Sequence, residues 1–242
     1  MKKIHSPDMD RPARAVRWLW GWTKSICTAL IVWFFLSSLV VQAFRIPSGS
    51  MERTVLIGDF LFVNKFLYGA EVPIIHRRLP AIREPRHDEV VVIQSPIEDL
   101  VLLKRVVGLP GDTLAMLDGQ LIRNGQAVRE PYVVLHPTAP PPDPLTSDRM
   151  RQWQLPFVVP PVPTDYHPDV RNWGPLVVPP ERLMALGDNR DESLDSRFYG
   201  FIPRANLRGS PLLIYYSYDP SSWKPAPFLT AVRWARIFTR PW

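Results

Sequence analysis

The chain has 242 residues, among them 28 prolines, 12 glycines and a single cysteine, and carries a formal charge of +6. So much proline argues against long helices outside any one apolar segment, because proline lacks a backbone donor and bars helical dihedrals from the preceding residue. The lone Cys27 excludes an internal disulfide or a thiolate metal site, and the basic charge does not form one dense stripe, several basic residues instead flanking an apolar segment or lying near the C-terminus, which argues against a nucleic-acid partner.

Residues 1–24 form a basic N-terminus with Lys2, Lys3, Arg11, Arg14, Arg17 and Lys24. Residues 25–44 then carry no charge and are rich in Leu, Ile, Val, Phe and Trp. At about 1.5 Å per helical residue, such a run spans the roughly 30 Å hydrocarbon layer and predicts one transmembrane helix. Trp18, Trp20 and Trp22 suit the membrane interface, and basic residues dominate upstream while Arg45 stands alone downstream. That asymmetry predicts a cytoplasmic N-terminus and an exported remainder. The run exceeds the core of a cleaved leader and no small-x-small pattern follows it, so a retained anchor is expected.

Downstream, 45–130 reads as the first part of a β core. Strand-like runs are 59–65, 89–94 and 100–107, the last closed by the turn residues Gly108 to Asp112. Residues 113–123 read as a hairpin about Asp118-Gly119. Between 131 and 180 lie fourteen of the prolines, including Pro140-Pro141-Pro142, so this stretch reads as an extended proline-rich inserted lobe. Residues 181–222 resume the core and close it with a strand over 211–218. The basic tail 223–242 reads either as an amphipathic segment on a membrane surface or as a helix packed on the domain. The fold expected is mainly β, an antiparallel core with an inserted proline-rich lobe, preceded by one transmembrane helix.

No H-E-x-x-H is present and the five histidines are scattered, which leaves a zinc hydrolase unsupported. Asp188, Asp191 and Asp195 lack the alternation, central glycine and terminal glutamate of a calcium loop. Neither metal nor cofactor is expected. Two features remain. Ser48 and Ser50, flanking Gly49 just past the apolar run, read either as a polar juxtamembrane linker or as two hydroxyls presented on one side of an extended chain. Lys104, inside an apolar strand, reads either as an edge lysine with its head in water or as an amine whose pKa burial lowers, a competent general base.

The segments Pro47-Ser48-Gly49-Ser50-Met51, Lys104 to Asp112 and Gly187 to Gly200 resemble, in order, the signature blocks of type I signal peptidases. The resemblance runs from about Phe44 to Tyr218 apart from the proline-rich stretch. It implies a membrane-bound endopeptidase that cleaves signal peptides after A-x-A-type sites, with Ser50 as nucleophile, Lys104 as general base, Ser193 orienting the lysine, and Ser48 with the Ser50 N–H forming the oxyanion hole. It also implies Asp195, paired with Arg197 or Arg105, as a structural carboxylate, with Asp188 nearby. Candidate substrate pockets are Ile46, Met51, Val55 and Leu102 for the first, and Phe44, Val91 and Leu103 for the second. The partners implied are signal-peptide-bearing preproteins, the lipid bilayer and the export machinery, at the outer face of a bacterial plasma membrane. One departure is visible: the proline usual three residues after the nucleophile is Arg53 here.

Overall fold

A computed structural model of the chain describes residues 11–39, 41–72, 77–135 and 144–241. The basic residues Lys2 and Lys3 and the Pro140-Pro141-Pro142 run lie outside that set.

The N-terminal helix α1 covers Arg11–Leu39. Its side chains from Val16 to Phe34 are exposed, large apolar ones such as Trp20, Ile26, Leu30 and Trp33 included. Among the described residues no helix is long and apolar enough to cross a membrane. The bounds of the helical run expected over residues 25–44 differ from the structure at both ends. The helix begins fourteen residues earlier, taking in Arg17 and Lys24. Its expected last turn is instead strand β1 (Val41–Arg45). This strand, in which Val41 and Phe44 favour the extended form, pairs antiparallel with strand β2 (Asp59–Asn64), Val41 opposite Asn64 and Arg45 opposite Phe60.

The remaining strands follow in chain order: β3 (Val90–Gln94), β4 (Val101–Gly108), β5 (Thr113–Leu117), β6 (Gln120–Arg123) and β7 (Gln126–Ala127). Helix α2 (Pro144–Gln154), β8 (Trp173–Val177), β9 (Arg182–Leu186), the single turn α3 (Ser196–Tyr199), β10 (Ile202–Pro203) and β11 (Leu207–Ser217) complete the domain. One sheet has the order β1-β2-β11-β3-β4-β9-β10 and the other β7-β6-β5-β8, and every strand pair is antiparallel. The expected hairpin is present, with Asp118 at φ +48 and Gly119 at φ +81, the two left-handed residues its tight turn demands.

The proline-rich stretch holds more regular structure than its composition suggests. It contains α2, and its strand β8 pairs with β5 at the edge of the second sheet, where Pro175 costs no ladder bond on the open side. Met150, Trp173 and Leu176 enter a core shared with Leu114, Leu121 and Met184. The tail is tied back along β11, where Phe238 N–H donates to the Ile214 carbonyl at 2.7 Å and Arg236 pairs with Asp59 at 2.6 Å.

Two further cores flank the first sheet. Val91, Ile93, Val106 and Ala185 pack on one face, and Ile46, Met51, Val55, Leu61, Val90 and Val92 on the other. Alternation along β3 and β4 sorts side chains between these faces, and that sorting positions the candidate site.

Candidate active site

Strand β4 pairs with β3 from Val101 to Arg105, but its register with β9 begins only at Arg105. Residues 101–104 thus keep one open edge. Strand β1 is the outermost strand of the same sheet. Although three strands separate them in sheet order, both line one cleft of about 70 Å³. The sheet therefore wraps so that two open edges flank a single cleft.

Six of the seven expected pocket residues line that cleft, namely Phe44, Ile46, Met51, Val55, Leu102 and Leu103, along with Ser48 and Ser50. Val91 does not, and here the expectation is corrected. It is fully buried on the opposite face of β3, directly across from Lys104, while Val92, one residue on, lines the cleft. A strand reverses side with every residue, and the expectation was one position out of phase.

Ser48, Gly49 and Ser50 lie in a bend, not in the extended conformation that would put the two hydroxyls in register, yet both serines line the same cleft. Ser50 enters a turn in which Thr54 and Val55 N–H groups donate to the Met51 carbonyl at 3.1 and 2.9 Å. Arg53 sits inside it at φ +82. Proline, fixed near −65°, has no access to that conformation, so the departure noted in the sequence goes with a differently shaped turn.

Lys104 is 2% exposed, and its Nζ lies 3.0 Å from Ser193 Oγ. Burial lowers its pKa from 10.5 to about 8, partly opposed by the Asp195 carboxylate. Ser193 reaches it from the loop after β9. There, Gly187 has no room for a side chain: an added Cβ would stand 2.1 Å from Ser193 Oγ and 2.5 Å from the Ser50 carbonyl oxygen. A glycine at this point lets the Ser50 turn and Ser193 close on each other. Asn189 N–H also donates to the Ser50 carbonyl, at 3.1 Å.

Two buried ion pairs brace the loop. Asp195 takes Arg197 as its partner, with Nε and Nη2 donating to its two oxygens at 2.9 and 2.8 Å, and it accepts the Gly187 N–H at 3.0 Å. Burial alone would raise the Asp195 pKa, but Arg197 and Lys104 hold it below the usual carboxylate range. Arg105 instead forks onto Asp188 at 2.8 and 2.7 Å. Asp191, the third member of the acidic run, pairs with Arg171 at 2.8 Å.

Several contributors carry no signal in the sequence taken alone. Thr54 bridges the Arg105–Asp188 pair, its hydroxyl donating to Asp188 at 2.5 Å while accepting from Arg105 at 3.0 Å. Tyr132 lays its ring 3.8 Å from the Arg105 guanidinium carbon. Glu130 binds Arg190, whose Nε donates to the Gly187 carbonyl at 3.0 Å. Gly187 stands out in the sequence only as the first residue of the third block of the family resemblance.

This arrangement joins two hydroxyl-bearing turns, a buried amine of depressed basicity and an apolar cleft between open strand edges, as a hydrolase acting on an extended peptide requires. The family model for signal peptidase, peptidase S26, matches residues 19–216. The signal peptidase I of Pseudomonas aeruginosa is 34% identical over 212 residues, covering 81% of this chain and 72% of its own. That of Rickettsia typhi is 29% identical over 90% of both chains. The crystal structure of a signal peptidase I from Enterococcus faecalis, 26% identical, aligns over 54% of this chain and 98% of its own with a TM-score of 0.35. The chain belongs to the signal peptidase family S26. It is a peptidase.

Proposed function

We propose that the chain removes N-terminal signal peptides from exported preproteins after A-x-A-type sites, through a Ser50 nucleophile and a Lys104 general base. The observation that carries this reading is Lys104 itself, buried in apolar surroundings, held by Ser193 at 3.0 Å and lowered to a pKa of about 8. An amine that is substantially neutral near pH 8 accepts a proton from a hydroxyl, and a lysine at its ordinary value does not.

In the reaction, Lys104 takes the Ser50 proton as Oγ attacks the scissile carbonyl. The oxyanion is met by the Ser48 hydroxyl and the Ser50 N–H, donors of a type worth about 2.7–4 kcal/mol each. The tetrahedral species collapses to an acyl-enzyme, and the departing amine of the mature protein takes its proton from Lys104. Water, deprotonated by the now neutral Lys104, then attacks the acyl-enzyme and releases the signal peptide, Lys104 returning the proton to Ser50. The substrate lies as an added strand between the open edges of β1 and β4. The small cleft volume favours alanine-sized side chains.

Attachment to a bacterial membrane belongs to the same reading. It is supported by the exposed apolar side chains of α1 and by the uncharged residues 25–44, which end six residues before Ser50. The preponderance of basic residues upstream supports a cytoplasmic N-terminus and an outward-facing domain.

The test uses the full chain in detergent with a preprotein bearing an A-x-A site. Ser50→Ala and Lys104→Met are each expected to lose at least about a thousandfold in kcat/KM. The wild-type rate should rise with pH about a midpoint near 8, where Lys104 loses its proton. Cleavage by Ser50→Ala at the wild-type rate would overturn the assignment.

A further inference from the structure

Where the apolar cleft ends, a second and larger cavity of about 250 Å³ begins. The two share Phe44 and Val101, so they form one continuous groove. Their linings differ in chemistry. The first is apolar apart from Arg45 and the serines, whereas the second collects Lys65, Arg78 and Arg208 against one carboxylate, Glu71. Arg208 reaches Glu71 at 3.7 Å, and Arg78 donates to the Leu207 carbonyl at 3.2 Å. Burial lowers the pKa of both Lys65 and Arg78, and the charge of Arg208 pushes each the same way. Positive charge is crowded here beyond what Glu71 neutralises.

The groove also has a direction. Along β1 from Gln42 to the Ser48–Ser50 bend, and along β4 from Val101 to Lys104, both strands lead from the second cavity to the reacting groups. An extended peptide between them sends alternate residues to the same side, about 6.6 Å apart. With the first and third residues before the scissile bond over the apolar cleft, the fifth comes over the basic cavity.

We propose that this cavity is a specificity subsite that takes an acidic side chain at the fifth residue before the cut of the preprotein. The assignment rests on the peptidase reading above and adds to it a charge preference outside the A-x-A pockets. Ion pairs at partly exposed sites are individually weak, so discrimination is modest and additive over the three cations.

The experiment uses the full chain in neutral detergent with three peptides sharing one A-x-A site and carrying Glu, Gln or Lys at that fifth position. The expected order of kcat/KM is Glu over Gln over Lys, by about threefold at each step and mainly through KM. The double variant Lys65→Glu, Arg208→Glu should reverse the order. Arg208→Gln, a milder change, should narrow the series without inverting it. A flat wild-type series with normal cleavage of the Gln peptide overturns the subsite and leaves the peptidase reading standing. Failure to cut the Gln peptide at all overturns the peptidase reading, and the subsite with it.

Discussion

Lys104 and Arg105 are neighbours on β4, 2% and 3% exposed, and the two faces of the strand treat them in opposite ways. Arg105 enters a fully equipped site: a fork onto Asp188, a bond to the Asp88 carbonyl at 2.7 Å, the Thr54 hydroxyl and the Tyr132 ring. Lys104, across from Val91 and on the face of Val106 and Ala185, has a hydroxyl as its hydrogen-bond partner among the described residues, and the carboxylate that acts on it most strongly, Asp195, is committed to Arg197. A buried cation with a matched carboxylate remains a cation, and one offered only a hydroxyl gives up its proton readily. One face holds charge to fix a loop, and the other favours a neutral amine.

The comparison breaks most visibly at Asp188. Asp188→Asn leaves the Arg105 guanidinium buried with half its fork unmatched, a change that costs about 3–5 kcal/mol. A thermal or urea transition on the variant should shift by that amount. Replacing both partners, Arg105→Met with Asp188→Leu, should recover most of it, because the burden lies in the unpaired charge. If the single variant is as stable as wild type, the Arg105 face is no better organised than the Lys104 face.

The opposite sign is expected at Lys104. Its folded pKa of about 8 lies below the 10.5 of an unperturbed lysine, so the unfolded chain binds the proton more tightly. Below about pH 8 this destabilises the fold by about 3 kcal/mol, and the burden fades as pH rises from 8 towards 10.5. Lys104→Met should therefore be more stable than wild type at pH 7 by up to that amount, with the gain shrinking steadily above pH 8. Calorimetry of both proteins across pH 7–10 measures it. A gain that does not depend on pH would mean that Met simply packs better.

Much of this contrast was legible in the sequence, because it is local. An apolar strand with a lysine in it, a Asp118-Gly119 turn between alternating runs, and three motif blocks in order are all short-range patterns. What escaped the sequence depends on pairing at a distance. Whether Asp195 would take Arg197 or Arg105 was open, since either arginine fits on charge and only the path of the 187–195 loop decides. Val91 was misplaced because strand parity becomes known only when the register with β4 is known. The strand at 173–177, with proline inside and after it, gives no β signal until β5 is there to receive it. The end of the N-terminal helix escaped for the same reason, because residues 41–45 continue an apolar run that β2 captures as a strand.

The finest test concerns the part of the Arg105 site that is not a carboxylate. The Tyr132 ring stacks 3.8 Å from the guanidinium carbon, and the Tyr132 hydroxyl separately contacts Asp88 and Glu130, each at 3.2 Å. Burial, with Glu130 and Asp88 nearby, raises the Tyr132 pKa, so the hydroxyl stays protonated and the ring meets Arg105 as a neutral partner. Tyr132→Phe keeps the ring and loses the hydroxyl bonds, whereas Tyr132→Leu loses both. The difference between the two variants isolates the stacking, expected at about 1 kcal/mol of unfolding free energy for a largely desolvated guanidinium. Neither variant should move the pH midpoint of cleavage, because the ring serves Arg105 and lies across the strand from Lys104. A shift in that midpoint for Tyr132→Leu would mean that the two faces of β4 are electrostatically coupled and that the arginine site takes part in setting the lysine.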